Sequence, residues 1–189
     1  MRKNLGPSNA FYPEPVCIIA SYDEKGNPNA MNAAWGGISD THEIGLCLSA
    51  GHKTTKNILK TKAFTVSCGT KDTYIACDYV GMVSGLKVKD KLAKCGFTTT
   101  KAEKVNAPII NELPFALECE LISYDKKTGH LFGKIVNTSV DSKVMTRGKI
   151  DVRKLKPIVF DGFNHTYCVI GEKVGNAFKD YKKIKWLSK

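Results

Sequence analysis

Apolar and polar residues alternate with a period of two in several short stretches of the chain, which predicts a protein made mainly of β-strands. The clearest stretches are residues 44–49 and 64–68, and a further strand is predicted at residues 16–22, which are rich in Ile and Val. These residue types suit a pleated, half-buried surface. The turn residues at 23–28 predict that residues 29–34 return antiparallel to the first strand.

A second hairpin is predicted near the middle of the chain. Apolar residues at 115, 117, 119 and 121 alternate with Glu118 and Glu120, so we expect one face to be buried and both glutamates to face water. The turn residues at 125–129 then send residues 130–136 back along this strand. Two late strands are predicted at 158–160 and 166–170.

Helices are fewer and shorter than strands. The predicted helical segments are residues 53–60, residues 70–77, a helix that begins at Ser84 or Lys87 and ends at Lys94, and one turn at 151–155. Residues 80–86 are predicted as a glycine-punctuated loop, and Gly96 fits the position just after a helix end. The expected class is therefore mostly β, an antiparallel barrel with a few peripheral helices.

Length and composition limit the kind of protein. A chain of 189 residues is long enough for one domain over residues 1–189 with a sizeable core and too short for two comfortable ones. Residues 1–12 are expected to lie over the surface as an arm, and residues 176–189 form a basic tail. No apolar run approaches the roughly 18 residues that span a bilayer, and no apolar stretch follows the basic N-terminus. We therefore expect a cytoplasmic location and no membrane contact.

The charge and the cysteines exclude other classes. The net charge is +11, but the 29 Lys and Arg residues are spread along the chain and only three are Arg, so a nucleic-acid partner is not expected. An acidic protein partner or an anionic cofactor remains open. The seven cysteines are widely spaced with no Cys-x-x-Cys, which favours reduced, structural thiols.

Motifs for several common chemistries are missing from the sequence. There is no Gly-x-Gly, no Walker A motif and no nucleophile elbow, and none of the four His residues pairs with a neighbour at metal-ligand spacing, so no metal is expected. No side chain is predicted to be catalytic by itself. A redox protein needs no catalytic side chain of its own when its bound cofactor performs the reaction.

The residues after Gly51 suggest an anion-binding site. Lys53, Thr54 and Thr55 stand at the predicted start of a helix, where backbone N–H groups and the helix dipole favour an anion. The plainer interpretation of the two threonines is that they cap the helix.

A second group of residues would complete this site from the next helical region. Lys91 could reach the anion, while Ser84 and Gly85 could add a hydroxyl and a close backbone approach. A solvated helix face is the alternative for Lys91.

The stretch from residue 29 to residue 39 is rich in small side chains and has one Trp, so a flat ligand could approach its backbone. The predicted bed consists of Met31, Asn32, Ala33 and Ala34, with Trp35 as a wall and Ser49 at the end of the next strand. A flat bed followed by an anion site suggests a nucleotide-like cofactor. Trp35 could instead belong to the core.

Four blocks of sequence, residues 29–37, 53–58, 64–67 and 78–85, resemble in this order the flavin reductase-like family, and its flavoredoxin branch in particular. The resemblance covers residues 10–175. It implies a Greek-key-like, FMN-binding split β-barrel that forms a homodimer with the flavin near the subunit interface. It implies FMN contacts at Asn29, Trp35, Thr55, Lys91, His130 and Phe163. Many members have Ser-x-x-Pro-Pro where this chain has Ser-Asp-Thr-His-Glu at 39–43, which favours the flavoredoxin branch.

The function expected from this resemblance is a flavoprotein oxidoreductase. It would pass electrons between NADH, NADPH or a redox partner and FMN, and an acidic redox protein is a candidate partner. The alternative is a cofactor-free basic module that binds nucleic acid or an acidic protein, favoured by the mixed aromatic and basic residues at 178–186. A minor option is a related split barrel that oxidises pyridoxamine phosphate or binds haem.

Overall fold

The computed structural model describes residues 1–9 and 11–184. A seven-stranded sheet dominates it, and the seven strands are β2 (Cys17–Tyr22), β3 (Pro28–Ala33), β4 (Gly36–Asp40), β5 (Glu43–Cys47), β6 (Ala63–Cys68), β9 (Phe115–Tyr124) and β10 (His130–Val140). The remaining strands are β1 (Glu14–Pro15), β7 (Thr99–Lys101), β8 (Pro108–Ile110), β11 (Met145–Thr146), β12 (Lys149–Ile150), β13 (Ile158–Asp161) and β14 (Thr166–Val169).

The order of the main sheet is β3-β2-β6-β9-β10-β5-β4, and every pairing in it is antiparallel. Its two edge strands, β3 and β4, are consecutive in the chain and are joined only by Ala34 and Trp35. Three virtual Cα–Cα bonds span at most about 11 Å, so a link this short forces the two edges of the sheet towards each other. The sheet therefore curls into a split barrel, as expected.

Three small sheets complete the β structure. β1, β13 and β14 pair in the order β1-β13-β14, and the two others are the hairpins β7-β8 and β11-β12. The predicted strands at 16–22, 29–34, 64–68 and 158–160 are confirmed with small shifts of their ends. β4 was not predicted as a strand, because its mostly exposed side chains give no buried face that would mark it as one.

The helices are α1 (Lys53–Thr61), α2 (Tyr74–Met82), α3 (Lys91–Lys94) and α4 (Val152–Leu155), with 3₁₀ turns at Ser142–Val144 and Asp180–Lys183. The α1 and α4 predictions are confirmed, and Gly96 follows α3 with a φ of +80° as predicted.

Two helix predictions are wrong. Residues 80–82, predicted as loop, belong to α2, where Gly81 allows close packing: a Cβ there would lie 3.0 Å from the Cβ of Asn32. The helix predicted from Ser84 or Lys87 exists only as α3, because Asp90 takes a left-handed φ of 52° and breaks the run.

The sheet buries apolar residues on both faces. Ile19, Leu46, Phe64 and Leu131 belong to the cluster on the face enclosed by the curl, where α1 also contributes. Ile18 and its neighbours on the other face pack against α2, α3 and β13. This double burial explains the nearly unbroken apolar run of β2.

All seven cysteines are free thiols. Burial raises the pKa of Cys17 and Cys119 to about 12 and of Cys68 and Cys77 to about 11, so these thiols stay protonated at neutral pH. In the described part of the chain, no helix is long and apolar enough to cross a membrane.

The expectation that Glu118 faces water is wrong. Its side chain is fully buried, whereas Glu120 is exposed. Glu118 Oε2 accepts a hydrogen bond from the backbone N–H of Lys104 at 2.6 Å, and Oε1 accepts one from Asn137 Nδ2 at 2.8 Å. The segment around Ala102, Val105 and Ala107 covers this face of β9, which two-residue periodicity cannot reveal.

We predict that Glu118→Ala destabilises the fold by about 3 kcal/mol, because the Lys104 N–H and the Asn137 amide lose a buried, charged acceptor. Glu120→Ala, two residues further along the same strand, should change the free energy of unfolding by less than about 0.5 kcal/mol. Urea unfolding of both variants tests this. Equal effects of the two substitutions would show that the Glu118 contacts contribute nothing to stability.

Candidate functional site

Three depressions that share lining residues lie along the edge strand β3. The first, which we call the seam groove, has a volume of about 650 Å³ and is lined by Asn9, Glu14, Met31, Asn32, Ala33, Ala34, Trp35, Cys47, Leu48, Ser49, Ala50, His52, Lys126, Lys127, Thr128, Gly129 and Phe160. It shares Met31, Asn32 and His52 with a junction pocket of about 240 Å³, which Lys53, Thr54, Ser84, Gly85 and Lys91 also line. The junction pocket opens in turn into a basic cleft of about 660 Å³.

The link between β3 and β4 forms one wall of the seam groove. The backbone N–H of Cys47 donates to the carbonyl of Trp35 at 2.8 Å, which ties the link to the end of β5. The Trp35 side chain is 57% exposed, so it is not a core residue. A flat apolar surface next to small residues is thus available at the seam.

The N-terminus of α1 faces the junction pocket. His52 occupies the N-cap position in an extended conformation and its side chain does not cap the helix. Lys53, Thr54 and Thr55 form the first turn, whose backbone N–H groups have no acceptor within the helix. This end of α1 is therefore suited to an anion.

The two threonines of this turn have different surroundings. Thr54 Oγ1 accepts a hydrogen bond from Asn29 Nδ2 at 2.7 Å, and this contact anchors α1 to β3. Thr55 Oγ1 is buried without a hydrogen-bond partner. The Thr54 hydroxyl is therefore hydrogen-bonded within the protein, whereas the Thr55 hydroxyl has no hydrogen-bond partner.

Gly85 brings the loop after α2 against this end of α1. A Cβ at Gly85 would lie 2.0 Å from Asn29 Oδ1 and 3.2 Å from Lys53 Cδ. Only glycine lets the loop approach so closely. Ser84, next to it, is exposed and its Oγ accepts from the backbone N–H of Leu86 at 3.3 Å.

Lys91 is a buried cation at the far wall of the junction pocket. Only 5% of it is exposed, and Nζ donates to the carbonyls of Val80 at 2.9 Å and Val83 at 2.8 Å, at the C-terminal end of α2. Burial, with a smaller contribution from the positive charge of Lys53, lowers the pKa of Lys91 to about 8. An anion in this pocket would relieve both effects.

A polar network behind the groove holds Asn32. Asn32 Nδ2 donates to the carbonyl of Cys77 at 3.3 Å and also approaches Tyr167, whose hydroxyl donates to Asp78 Oδ1 at 2.8 Å. Burial and the bond to Asp78 raise the pKa of Tyr167 to about 12. Sequence reasoning missed Tyr167 and Asp78 because they reach Asn32 only through tertiary packing.

Three of the predicted site residues do not line these depressions. Thr55 is fully buried in the first turn of α1 and lies outside their lining. His130 begins β10 opposite Cys47, exposed and next to Gly129 at the rim of the seam groove. Phe163 is 56% exposed and lies against the N-terminal arm, in a cleft with Lys3 and Tyr12. The other predicted residues that line them are Asn29, Met31, Asn32, Ala33, Ala34, Trp35, Ser49, Lys53, Thr54, Ser84, Gly85 and Lys91.

Sequence reasoning also missed several residues that line the seam groove, four of them for a clear physical reason. Glu14 and Phe160 belong to the small sheet that packs beside the main one, and Lys126 and Lys127 lie in the β9–β10 turn. The two lysines belong to the turn predicted at 125–129, so the sequence offered no reason to assign them to a site. β1 has only two residues and is too short to show a hydrophobic period.

The fold and this groove define the class of protein. Residues 9–161 match the model of the flavin reductase like domain. The chain therefore belongs to the flavin reductase-like domain family, which confirms the resemblance stated from its sequence blocks.

Solved structures show that the chain is similar to flavoredoxins within this family. The chain is 34% identical to flavoredoxin of Desulfovibrio vulgaris (Miyazaki F), with a TM-score of 0.89 over 95% of this chain and 98% of that one. Flavoredoxin from Methanosarcina acetivorans is 26% identical, with a TM-score of 0.86 over 98% and 100% of the two chains. An FMN-binding domain of a flavin reductase-like enzyme from Shewanella baltica OS155, 19% identical with a TM-score of 0.77 over 86% and 89%, shares the fold.

We predict that Lys91 makes stability depend on pH in the alkaline range. Its folded-state pKa of about 8 lies below the ordinary 10.5, so the folded chain holds this proton more weakly than the unfolded chain. Below the lower value both states are protonated and the folded state carries the full penalty. As pH rises through this window, wild type should gain about 3 kcal/mol relative to Lys91→Met.

Urea unfolding of wild type and Lys91→Met from about pH 7 to about pH 10 measures this difference. Lys94→Met, at an exposed position of the same short helix, is the matched control and should show no such trend. A flat difference for Lys91→Met would contradict the lowered pKa.

Proposed function

We propose that this chain is an FMN-binding flavoprotein oxidoreductase of the flavoredoxin type. The observation that carries the proposal is the continuity of the site: an apolar groove beside Trp35 runs into a pocket where the uncapped end of α1 meets Lys53 and Lys91. A flat ring with a short phosphorylated side chain matches this arrangement.

The junction pocket supplies what a phosphate group needs. The first-turn N–H groups of α1 lack acceptors, and Lys91 is a cation held in a buried position. Charge-assisted hydrogen bonds to a phosphate would satisfy both. Gly85 allows the loop after α2 to cover the same position.

The seam groove supplies a place for the ring. We assign Met31, Asn32, Ala33, Ala34 and Ser49 to its bed and Trp35 to its wall. FMN, when bound, supplies hydride and single-electron transfer. The chain holds the cofactor, orients it and keeps one side open, so none of its own side chains has to act as the redox group.

The rim of the seam groove favours an anionic electron donor or acceptor. Lys126, Lys127 and His52 line it and are exposed. This positive rim is suited to NADH, NADPH or an acidic redox protein. We propose that electrons enter and leave here.

We also propose a homodimer assembled at the seam, as the family resemblance implies. β4 is an edge strand of the main sheet, and Ile38 on it is 67% exposed beside the exposed Trp35. An unpaired edge with exposed apolar side chains is suited to a second subunit.

Family membership favours this function over a cofactor-free basic module. In the tail, Phe178 and Tyr181 are exposed and Lys182 Nζ lies 5.9 Å from the centre of the Tyr181 ring. Trp186, the last aromatic residue of the mixed tail, lies outside the described residues.

We expect the protein to quench FMN fluorescence, with riboflavin binding more weakly because it lacks the phosphate. Lys91→Met should weaken FMN binding about tenfold or more and leave riboflavin binding unchanged, since only the phosphate loses a charged partner. Lys94→Met is the control and should bind both flavins as wild type does.

Two outcomes of this titration would count against the proposal. No quenching of either flavin by wild type would refute flavin binding. An equal loss for FMN and riboflavin in Lys91→Met, in a variant with wild-type circular dichroism, would show that Lys91 supports the fold and does not bind the phosphate.

The electron source can be identified by mixing the FMN-loaded protein anaerobically with NADH or NADPH. The visible absorption band of the flavin is then recorded over time. We expect bleaching by one of these donors or by a reduced acidic redox protein, and added salt should slow the reaction because the rim is positive. Rates that do not change with salt would refute the role of Lys126 and Lys127.

A further inference from the structure

Glu14 is a buried carboxylate in the wall of the seam groove, and one of its two oxygens has no hydrogen-bond partner. It lies on β1, opposite Phe160 of β13, and is 7% exposed. Its Oε1 atom is shielded from solvent and accepts no hydrogen bond. A Cβ at Gly162 would lie 2.9 Å from Oε1, so the adjoining hairpin holds the side chain closely.

This situation is unfavourable for the isolated protein. A buried acceptor without a donor loses its hydration without replacement, and the cost is larger when the group is charged. No lysine, arginine or histidine of the described residues forms an ion pair with Glu14. Buried polar groups of this kind require an explanation, and a ligand that brings a donor is one.

Glu14 is also the only acidic residue lining the groove among the described residues. The other polar side chains there belong to Asn9, Asn32, Ser49, His52, Lys126, Lys127 and Thr128. An ionised carboxylate only accepts hydrogen bonds. The ligand group opposite Glu14 should therefore be an N–H or O–H donor.

The isoalloxazine ring offers a single such donor in its oxidised form. Its N1 and N5 atoms and both carbonyl oxygens are acceptors, and the imide N3–H is its one N–H group. We propose that Glu14 accepts a hydrogen bond from the N3–H of a bound flavin, and thereby sets which edge of the ring points to β1. This inference rests on the flavin-binding function proposed above.

The inference assigns Glu14 to binding and orientation of the cofactor. It also places a negative charge beside the imide edge of the ring. That charge disfavours additional electron density on the ring, so Glu14 should lower the reduction potential of the bound flavin.

The test compares FMN with FMN methylated at N3, titrated by fluorescence quenching into wild type, Glu14→Ala, Glu14→Gln and the exposed control Glu120→Gln. Wild type and the control should bind the methylated flavin about tenfold or more weakly than FMN. Glu14→Ala should bind FMN weakly and no longer distinguish the two flavins. Glu14→Gln keeps an acceptor oxygen and should retain part of the discrimination.

The reduction potential gives a second readout that a purely structural role would not move. It should be higher in Glu14→Gln than in wild type, and unchanged in Glu120→Gln. Thermal unfolding of the apoproteins shows whether Glu14→Ala is folded; if it is not, the Glu14→Gln variant and the wild-type comparison decide the matter.

Three results would overturn the inference. One is equal discrimination in wild type and a folded Glu14→Ala, and another is wild type binding both flavins equally; in either case flavin binding stands and the role of Glu14 fails. Absence of any quenching by wild type would refute the flavin function itself, and the inference with it.

Discussion

The two-residue link of Ala34 and Trp35 is the constraint on which the rest of this structure depends. It joins the two edge strands of a seven-stranded sheet, so the sheet can form only if it curls until its edges meet. The curl encloses one apolar cluster and leaves the other face to α2, α3 and β13. It also creates the seam, and the seam groove exists because the edges come together without forming a ladder with each other.

Several polar groups near this seam are buried, or lack a partner, within the protein. Lys91 is a buried cation, Glu14 a buried carboxylate with an unpaired oxygen, Thr55 has an unused hydroxyl, and α1 begins without a side-chain cap. A ligand with a phosphate and an imide, as we propose, would give Lys91, Glu14 and the start of α1 partners. Glu118, by contrast, is satisfied within the protein by Lys104 and Asn137. Asn57 Nδ2 in α1 is also buried without a partner and lies outside the groove.

Local sequence patterns predicted the elements whose burial follows one simple rule. β2, β6 and α1 were found close to their predicted bounds because turn residues and apolar periodicity agree there. The C-terminal part of α2 was missed, because Gly81 signals a loop locally although the helix needs it to pass Asn32. Glu118 was placed on the wrong side for a similar reason: a distant segment covers that face of β9. Glu14 carried no signal, since two residues of strand show no period.

The sequence by itself determined the β-rich class, the positions of the main strands and the family, because these depend on local propensity and on side chains close together in the chain. It also identified the part of the seam groove formed by β3 and the link after it, Met31 to Trp35. Only the tertiary structure decided which of them meet, that Trp35 is exposed, that Lys91 is buried with a lowered pKa, and that Glu14 faces the same groove from another sheet. The physical reason is that burial and pairing are properties of surfaces brought together by the fold, and residues far apart in sequence create them jointly.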